Sequence, residues 1–228
     1  MQSLPAGGEM VSVVADEAAV NAHINNVKDS VSIAAVNGPQ SIVISGRGDA
    51  VQGVVAGLRD HGIKTTQLKV SHAFHSPLME PILAQFRAVA SEVTYSEPTK
   101  TVVSNVTGQA LSGDLLTPEY WVQHLRGAVR FADGMAEAVG RKIETFVEIG
   151  PRPTLLGLGR SCTAPDYGVW LPSLKPKQEW VTLASSVAEL HVRGVGVTWS
   201  NFQPQRPKKA VLPSYPWRRQ RYWTDVIS

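Results

Sequence analysis

The 228-residue sequence predicts an α+β fold in three stretches, and three observations carry that prediction. Residues 1–70 alternate short apolar runs with helical spacing, in the order strand, helix, strand, strand, helix, strand. Residues 71–165 open on a long one-sided helix and continue as alternating helices and strands. Residues 166–228 lose that alternation and end rich in proline, aromatic rings and bases.

In the first stretch, residues 10–15 are a short β-rich run. Asp16 then offers an N-cap to a helix with Ala19, Val20, His23, Ile24 and Val27 along one side. Residues 31–36 and 41–45 are apolar strands joined by the turn Asn37-Gly38-Pro39-Gln40. Asp49 is placed to cap a second helix carrying Val51, Val54, Val55 and Leu58, with Gly62 at its C′ position. Residues 63–70 supply the closing strand. Two βαβ-like halves of this kind make a ferredoxin-like βαββαβ unit.

The second stretch begins with His72-Ala73-Phe74-His75-Ser76-Pro77 and a helix striped by Ile82, Leu83, Phe86, Val89, Ala90 and Val93. Ser76 and Pro77 suit the N-cap and N1 positions, although Pro81 shifts the first full turn later. The pattern then predicts a strand over 101–105, helices over 118–125 and 131–139, and a buried strand over 145–149. Gly150-Pro151 turns into a helix through Leu155 and Leu158. These strands are too few to close a sheet alone, so part of a sheet is expected elsewhere. In the third stretch residues 170–174 read as extended. Residues 180–192 read as an amphipathic helix with Val181, Ala184, Val187, Ala188 and His191 on one side. From Asn201 onward the chain is expected to wrap over a surface.

Composition narrows the function. The six bases between Arg206 and Arg221 meet no acid, and without them the net charge of +3 becomes −3. The basicity belongs to the tail. Cys162 is the single cysteine, so no intrachain disulfide or thiolate zinc site is expected, which suits a reducing cytoplasm. No apolar run reaches the ~18 residues of a membrane span, and the start lacks the pattern of a secretory leader. The six histidines are scattered, and His72 with His75 is too sparse a pair to predict a metal. The tail Tyr215-Pro216-Trp217-Arg218-Arg219-Gln220-Arg221-Tyr222-Trp223 holds rings and cations, the ingredients of nucleic-acid binding. Such tails more often pack on protein, so no nucleic-acid partner is expected.

His75 stands just before a helix N-terminus, where the macrodipole disfavours an imidazolium and favours the neutral ring a general base requires. A boundary histidine without chemistry is the alternative reading. Acyl transfer through histidine also needs a serine or cysteine nucleophile and an oxyanion hole. The sequence contains no G-x-S-x-G elbow; Ser45-Gly46-Arg47-Gly48 lacks the first glycine, and Cys162 lies at an apolar helix end.

Several segments, taken in order, resemble one family. They are Met1-Gln2-Ser3-Leu4-Pro5-Ala6-Gly7-Gly8-Glu9-Met10, Asn37-Gly38-Pro39 with Ser41-Ile42-Val43-Ile44-Ser45-Gly46, and His72-Ala73-Phe74-His75-Ser76. Val102-Val103-Ser104-Asn105-Val106-Thr107-Gly108, Tyr120-Trp121-Val122-Gln123-His124-Leu125 and Phe146-Val147-Glu148-Ile149-Gly150-Pro151 follow, and the tail from Leu212 to Trp223 closes the set. The set resembles the C-terminal half of a malonyl-CoA:acyl-carrier-protein transacylase-like acyltransferase domain from a modular type I polyketide synthase, with its linker. The resemblance implies that residues 71–165 are the C-terminal part of an α/β-hydrolase-like large subdomain. It implies that His75 deprotonates a serine and later activates the carrier-protein thiol, with the backbone carbonyl near His124 orienting its ring. Phe74, in the form His-Ala-Phe-His, would mark malonyl selectivity, where methylmalonyl enzymes usually carry Tyr-Ala-Ser-His. His72 would wall the pocket, and Asn105 would stand at the substrate.

The implied partners are malonyl-CoA, an acyl carrier protein, the upstream half of the acyltransferase and the adjacent ketosynthase. No bound cofactor is implied, because CoA and phosphopantetheine carry the acyl group. The family's G-H-S-x-G elbow and carboxylate-gripping arginine have no match in this sequence, so the chain alone is expected to be inactive. A non-catalytic docking module is the alternative, and a nucleic-acid binder acting through the tail is a further one.

Overall fold

Alternating Val and Ile build the first sheet. Strands β1 (Gly8–Val13), β2 (Val31–Gly38), β3 (Ser41–Arg47) and β4 (Thr65–Gln67) pair antiparallel in the order β2-β3-β1-β4. The computed structural model describes Leu4 and residues 7–111, 116–202 and 211–220. It has a mixed α/β architecture and divides into two units, Met1–Ser186 and Val187–Ser228.

One face of this sheet buries Val11, Val13, Ile42 and Ile44 against helices α1 (Glu17–Ile24) and α2 (Gly48–Asp60), which contribute Val20, Ile24, Val51, Val55 and Leu58. The opposite face carries Met10, Ala34 and Val43, and there Phe74 and Leu68 pack against it. At Gly46 of β3 a Cβ would overlap the Ser30 carbonyl, so glycine lets the chain entering β2 pass close by. Asp16 caps α1 as expected, its Oδ1 accepting from Ala19 N at 2.7 Å. Asp49 does not cap α2. The N-cap is Arg47, two residues earlier, and Asp49 lies inside the first turn, accepting from Ala50 N and Arg47 Nε. The expected strand over 63–70 shrinks to three residues. Ile63 N is spent closing α2 on Leu58 O, and Val70 N turns back onto Leu68 O.

Ser76 starts a 3₁₀ turn, Pro77–Met79, that runs into α3 (Glu80–Ser91), with Pro81 harmless in its first turn. The α3 stripe is only partly covered. Ala90 is buried, whereas Val89 and Val93 are exposed. Residues 101–105 do not form the expected strand; a single bridge joins Val103 to Ala110. The cause is Ser104, whose Oγ accepts from Val106 N and Thr107 N and pulls the chain into a turn. Helices α4 (Pro118–Arg126) and α5 (Phe131–Gly140) follow. The link between them lies parallel to β2, with Val129 exchanging hydrogen bonds with Ala34 and Val36.

Strands β5 (Thr145–Glu148) and β6 (Val169–Pro172) pair in parallel across helix α6 (Thr154–Ser161), and Phe146 stacks on Trp170 at 4.3 Å. Glu148 satisfies three amides at the start of α6, those of Thr154, Leu155 and Leu156. The expected burial of this strand fails: Val147 is 42% and Ile149 84% exposed. Among the described residues β5 pairs on one edge only.

Helix α7 (Glu179–Val192) also turns a different face inward from the one its apolar spacing predicts. Thr182 and Ser186 are buried, while Val181 is exposed. Ser186 Oγ donates to the Pro172 carbonyl at 2.8 Å, so a strand-end acceptor sets the helix rotation. In the second unit, α8 (Trp199–Phe202) holds Trp199 edge-on to His191, and residues 211–220 are irregular and exposed. Met1, Gln2, Ser3, Pro5 and Ala6 of the opening motif lie outside the described residues, as do Arg206, Lys208, Lys209, Arg221, Tyr222 and Trp223 of the tail. No described helix is long and apolar enough to cross a membrane.

Candidate active site

The loop after β4 presses onto the start of β1. Gly8 makes this possible, since a Cβ there would come within 2.6 Å of Ala73 Cβ. Ala73 and Ser76 are both buried. The Ser76 hydroxyl donates to Ala73 O at 2.6 Å and accepts from Leu78 N at 3.2 Å, closing a short turn around His75. Within that turn His75 takes a left-handed backbone, φ 58°. A residue with a Cβ visits this region only at a cost, and such positions concentrate at functional sites.

The His75 ring faces the C-terminal end of α4, its centroid 6.5 Å from that of His124. A helix end leaves carbonyls without intrahelical partners. The backbone groups of Gly127 and His124 act on His75 from this end, and both favour its protonated form. Burial is the larger influence and, with the neighbouring His124 ring, holds the His75 pKa below the usual imidazole value. Burial likewise lowers His124. His75 Nδ1 is buried without a partner in hydrogen-bond geometry. The Gly127 and His124 backbone is therefore close enough to polarise the ring but not aligned on that nitrogen. The ring is neutral near pH 7, and burial is the main cause, where the sequence pointed to the dipole of the following helix.

Three contacts hold α4 against the loop. Arg126 Nε lies 3.2 Å from Glu80 of α3, Tyr120 OH lies 3.0 Å from Ser104 Oγ, and the Val129 bridge ties the helix exit to β2. Arg130 adds a clamp between Glu17 of α1, at 2.8 Å, and Asp133 of α5, at 2.5 Å. Sequence reasoning missed Arg126, Gly127 and Arg130. The Arg130–Asp133 spacing was legible as an i,i+3 pair, but nothing local announces a partner 113 residues away.

The other predicted residues separate into groups. His72 and Phe74 are half-buried with ring centroids 6.0 Å apart, and His72 Nδ1 lies 3.1 Å from Ser71 Oγ. Phe74 packs on the sheet face formed by Met10, Ala34 and Val43. Asn105 is exposed, and its carbonyl accepts from Arg130 N at 2.7 Å, which places it beside the start of α5. Among the described residues, no serine or cysteine is hydrogen-bonded to His75. The Ser76 hydroxyl donates its hydrogen bond to Ala73 O instead. Cys162 donates to Asn37 O and Leu158 O, and burial raises its thiol pKa, which keeps it protonated. An apolar groove of about 350 Å³ lies elsewhere, lined by Phe146, Val147, Leu155 and Trp170, and contains none of these histidines.

The described residues therefore hold a half-buried imidazole in a fixed turn, and known proteins resemble the chain that carries it. Residues 1–197 match the family described as Acyl transferase domain. The polyketide synthase GfsA of Streptomyces halstedii is 43% identical over 232 residues, covering 99% of this chain and 3% of that protein. The acyltransferase domain from the second module of the salinomycin polyketide synthase superposes with a TM-score of 0.86 at 42% identity. That match covers 93% of this chain and 51% of that one. The malonyl-CoA:acyl carrier protein transacylase of Xanthomonas oryzae gives a TM-score of 0.71 at 27% identity, covering 80% of this chain and 59% of that one. The chain spans about half the length of these solved domains. The His75 turn thus sits in a chain that belongs to the acyl transferase domain family, close to the acyltransferase domains of polyketide synthases.

Proposed function

We propose that this chain supplies the histidine half of a site that moves malonyl from malonyl-CoA to the phosphopantetheine arm of an acyl carrier protein. The observation that carries the reading is the His75 turn: a half-buried neutral imidazole in a left-handed position, fixed by Ser76 and facing the open end of α4. In the complete domain His75 takes the proton of a serine contributed by the rest of that domain. The serine oxygen attacks the malonyl thioester, and the CoA thiolate leaves with the proton from the imidazolium. His75 then takes the proton of the carrier thiol, whose sulfur attacks the malonyl–serine ester, and the serine oxygen leaves with the proton returned by the imidazolium. Carbonyls near His124 and Gly127 orient the ring in the place a carboxylate often holds.

Phe74 favours malonyl by crowding an α-methyl group, a difference of roughly 1–3 kcal/mol. His72 walls the pocket and Asn105 borders the substrate. Residues 1–70 act as a ferredoxin-like subdomain, a reading supported by the sheet order β2-β3-β1-β4. Residues 71–165 belong to an α/β-hydrolase-like large subdomain, and residues 166–228 form a linker toward the neighbouring ketosynthase. The setting is cytoplasmic, and no cofactor is retained beyond the CoA and phosphopantetheine of the substrates.

The test joins this chain to an upstream half carrying the serine and follows malonyl transfer to a carrier protein. His75→Ala should abolish transfer, by about 10²–10⁴-fold if proton transfer alone is lost. Near-normal turnover would remove His75 from the mechanism. The chain alone, mixed with malonyl-CoA, should keep its unmodified mass; a stable adduct would reveal a nucleophile in it.

A further inference from the structure

We propose that His23 and His61 form a binding site for a divalent transition-metal ion of the zinc or copper class, bridging the C-terminal ends of α1 and α2. The two residues are 38 apart in sequence, and the fold brings His23, in the last turn of α1, against His61, the C-cap of α2. Their ring centroids are 5.0 Å apart, and His23 Nε2 lies 3.4 Å from His61 Nδ1. Two zinc–imidazole bonds of about 2.0–2.1 Å at a tetrahedral angle separate their nitrogens by about 3.4 Å. The facing nitrogens already stand at that span.

The hydrogen bond of His23 agrees with ligation, and that of His61 must be exchanged for it. His23 Nδ1 lies 2.9 Å from the Ala19 carbonyl, which places its proton on Nδ1 and leaves a lone pair on Nε2. Metal-binding histidines are commonly anchored in this way through the second ring nitrogen. His61 Nδ1 lies 2.8 Å from the Gly57 carbonyl and holds its proton there when no ion is bound. Binding moves that proton to His61 Nε2 and replaces the carbonyl contact with the metal bond, so no net proton is lost. Both rings sit at helix C-terminal ends, where the macrodipole favours positive charge. The nearby cation Arg59 is turned away, its Nε donating to Thr65 Oγ1 at 3.0 Å. Among the described residues no third His, Cys, Asp or Glu joins the cluster. Water completes the coordination, and the site is open and exchangeable. An ion held there ties α1 to α2 across the first core.

The test is calorimetric titration of the full chain with zinc chloride and, separately, copper sulfate in a non-chelating buffer, paired with thermal unfolding. The parent should bind one ion saturably and melt at a higher temperature with it. His23→Ala and His61→Ala should each weaken binding at least tenfold, and the double variant should lose little more than either single one. His23→Gln and His61→Gln keep a polar side chain of similar reach and replace the alanine variants if those fold poorly. A double variant that binds like the parent would move the ion to the other four histidines and overturn the proposal. So would a parent that neither binds nor gains stability in a large excess of both ions.

Discussion

The sheet β2-β3-β1-β4 and the pair β5-β6 are built from similar apolar sequences and end in opposite states. In the first, Ile42, Ile44 and Val13 are fully buried, because helices cover one face and Phe74 with Leu68 packs on the other. In the second, Val147 and Ile149 face solvent although Phe146 and Trp170 stack beside them. The same residue types therefore stabilise one region and leave the other uncovered. The first sheet completes its own core within this chain. The second leaves apolar side chains uncovered among the described residues.

That contrast is broken most directly by truncating one isoleucine in each region. Ile44→Ala should cost about 2–5 kcal/mol, as buried aliphatic truncations do. Ile149→Ala should change stability by no more than about 0.5 kcal/mol, because its side chain is already in water. Urea unfolding of both variants at one pH measures the difference. Equal losses would mean that the second sheet is packed after all. A sharper version uses a dye that reports exposed apolar surface: Val147→Ser with Ile149→Ser should lower dye binding, while Val89→Ser on α3 should lower it less.

The two regions also differ in how far the sequence could disclose them. Every strand and helix of the first sheet was visible from alternation, spacing and the Asp16 cap, because each of those signals acts within a few residues. Only its ends moved, as at β4, where closing α2 used up Ile63. In the second stretch the 145–149 run was read as buried, since an apolar run carries no mark of whether its partner strand is present. Residues 101–105 failed for a different reason, a serine turn whose hydrogen bonds outcompete extension. Phe74 and His75 were legible from one short motif, but their surroundings were not. The orphan end of α4, the Arg126–Glu80 pair and the bridge at Val129 are all products of tertiary approach.

The His75 turn offers a smaller perturbation. Its left-handed backbone costs any residue with a Cβ roughly 1–2 kcal/mol. His75→Gly should therefore unfold at higher urea than His75→Ala, by about 1 kcal/mol, although both lose the base. Equal stability would mean that the turn relaxes when the imidazole is gone, and that Ser76 does not enforce it.

The smallest expected effect is on pH dependence, and its sign follows from burial. His75 and His124 both titrate below the unfolded imidazole value of about 6.5. Above that value both folded and unfolded chains are neutral at these rings, and the full stability is present. As pH falls below it, the unfolded chain takes up protons that the folded chain still refuses, and stability declines until the folded rings also protonate. The parent should lose stability between pH 7 and 5.5, before most carboxylates titrate, and His75→Gln should lose less over the same range. Urea midpoints across that interval give the two slopes. Identical slopes would show that His75 is no harder to protonate in the fold than in the open chain, and the neutral base would lose its physical footing.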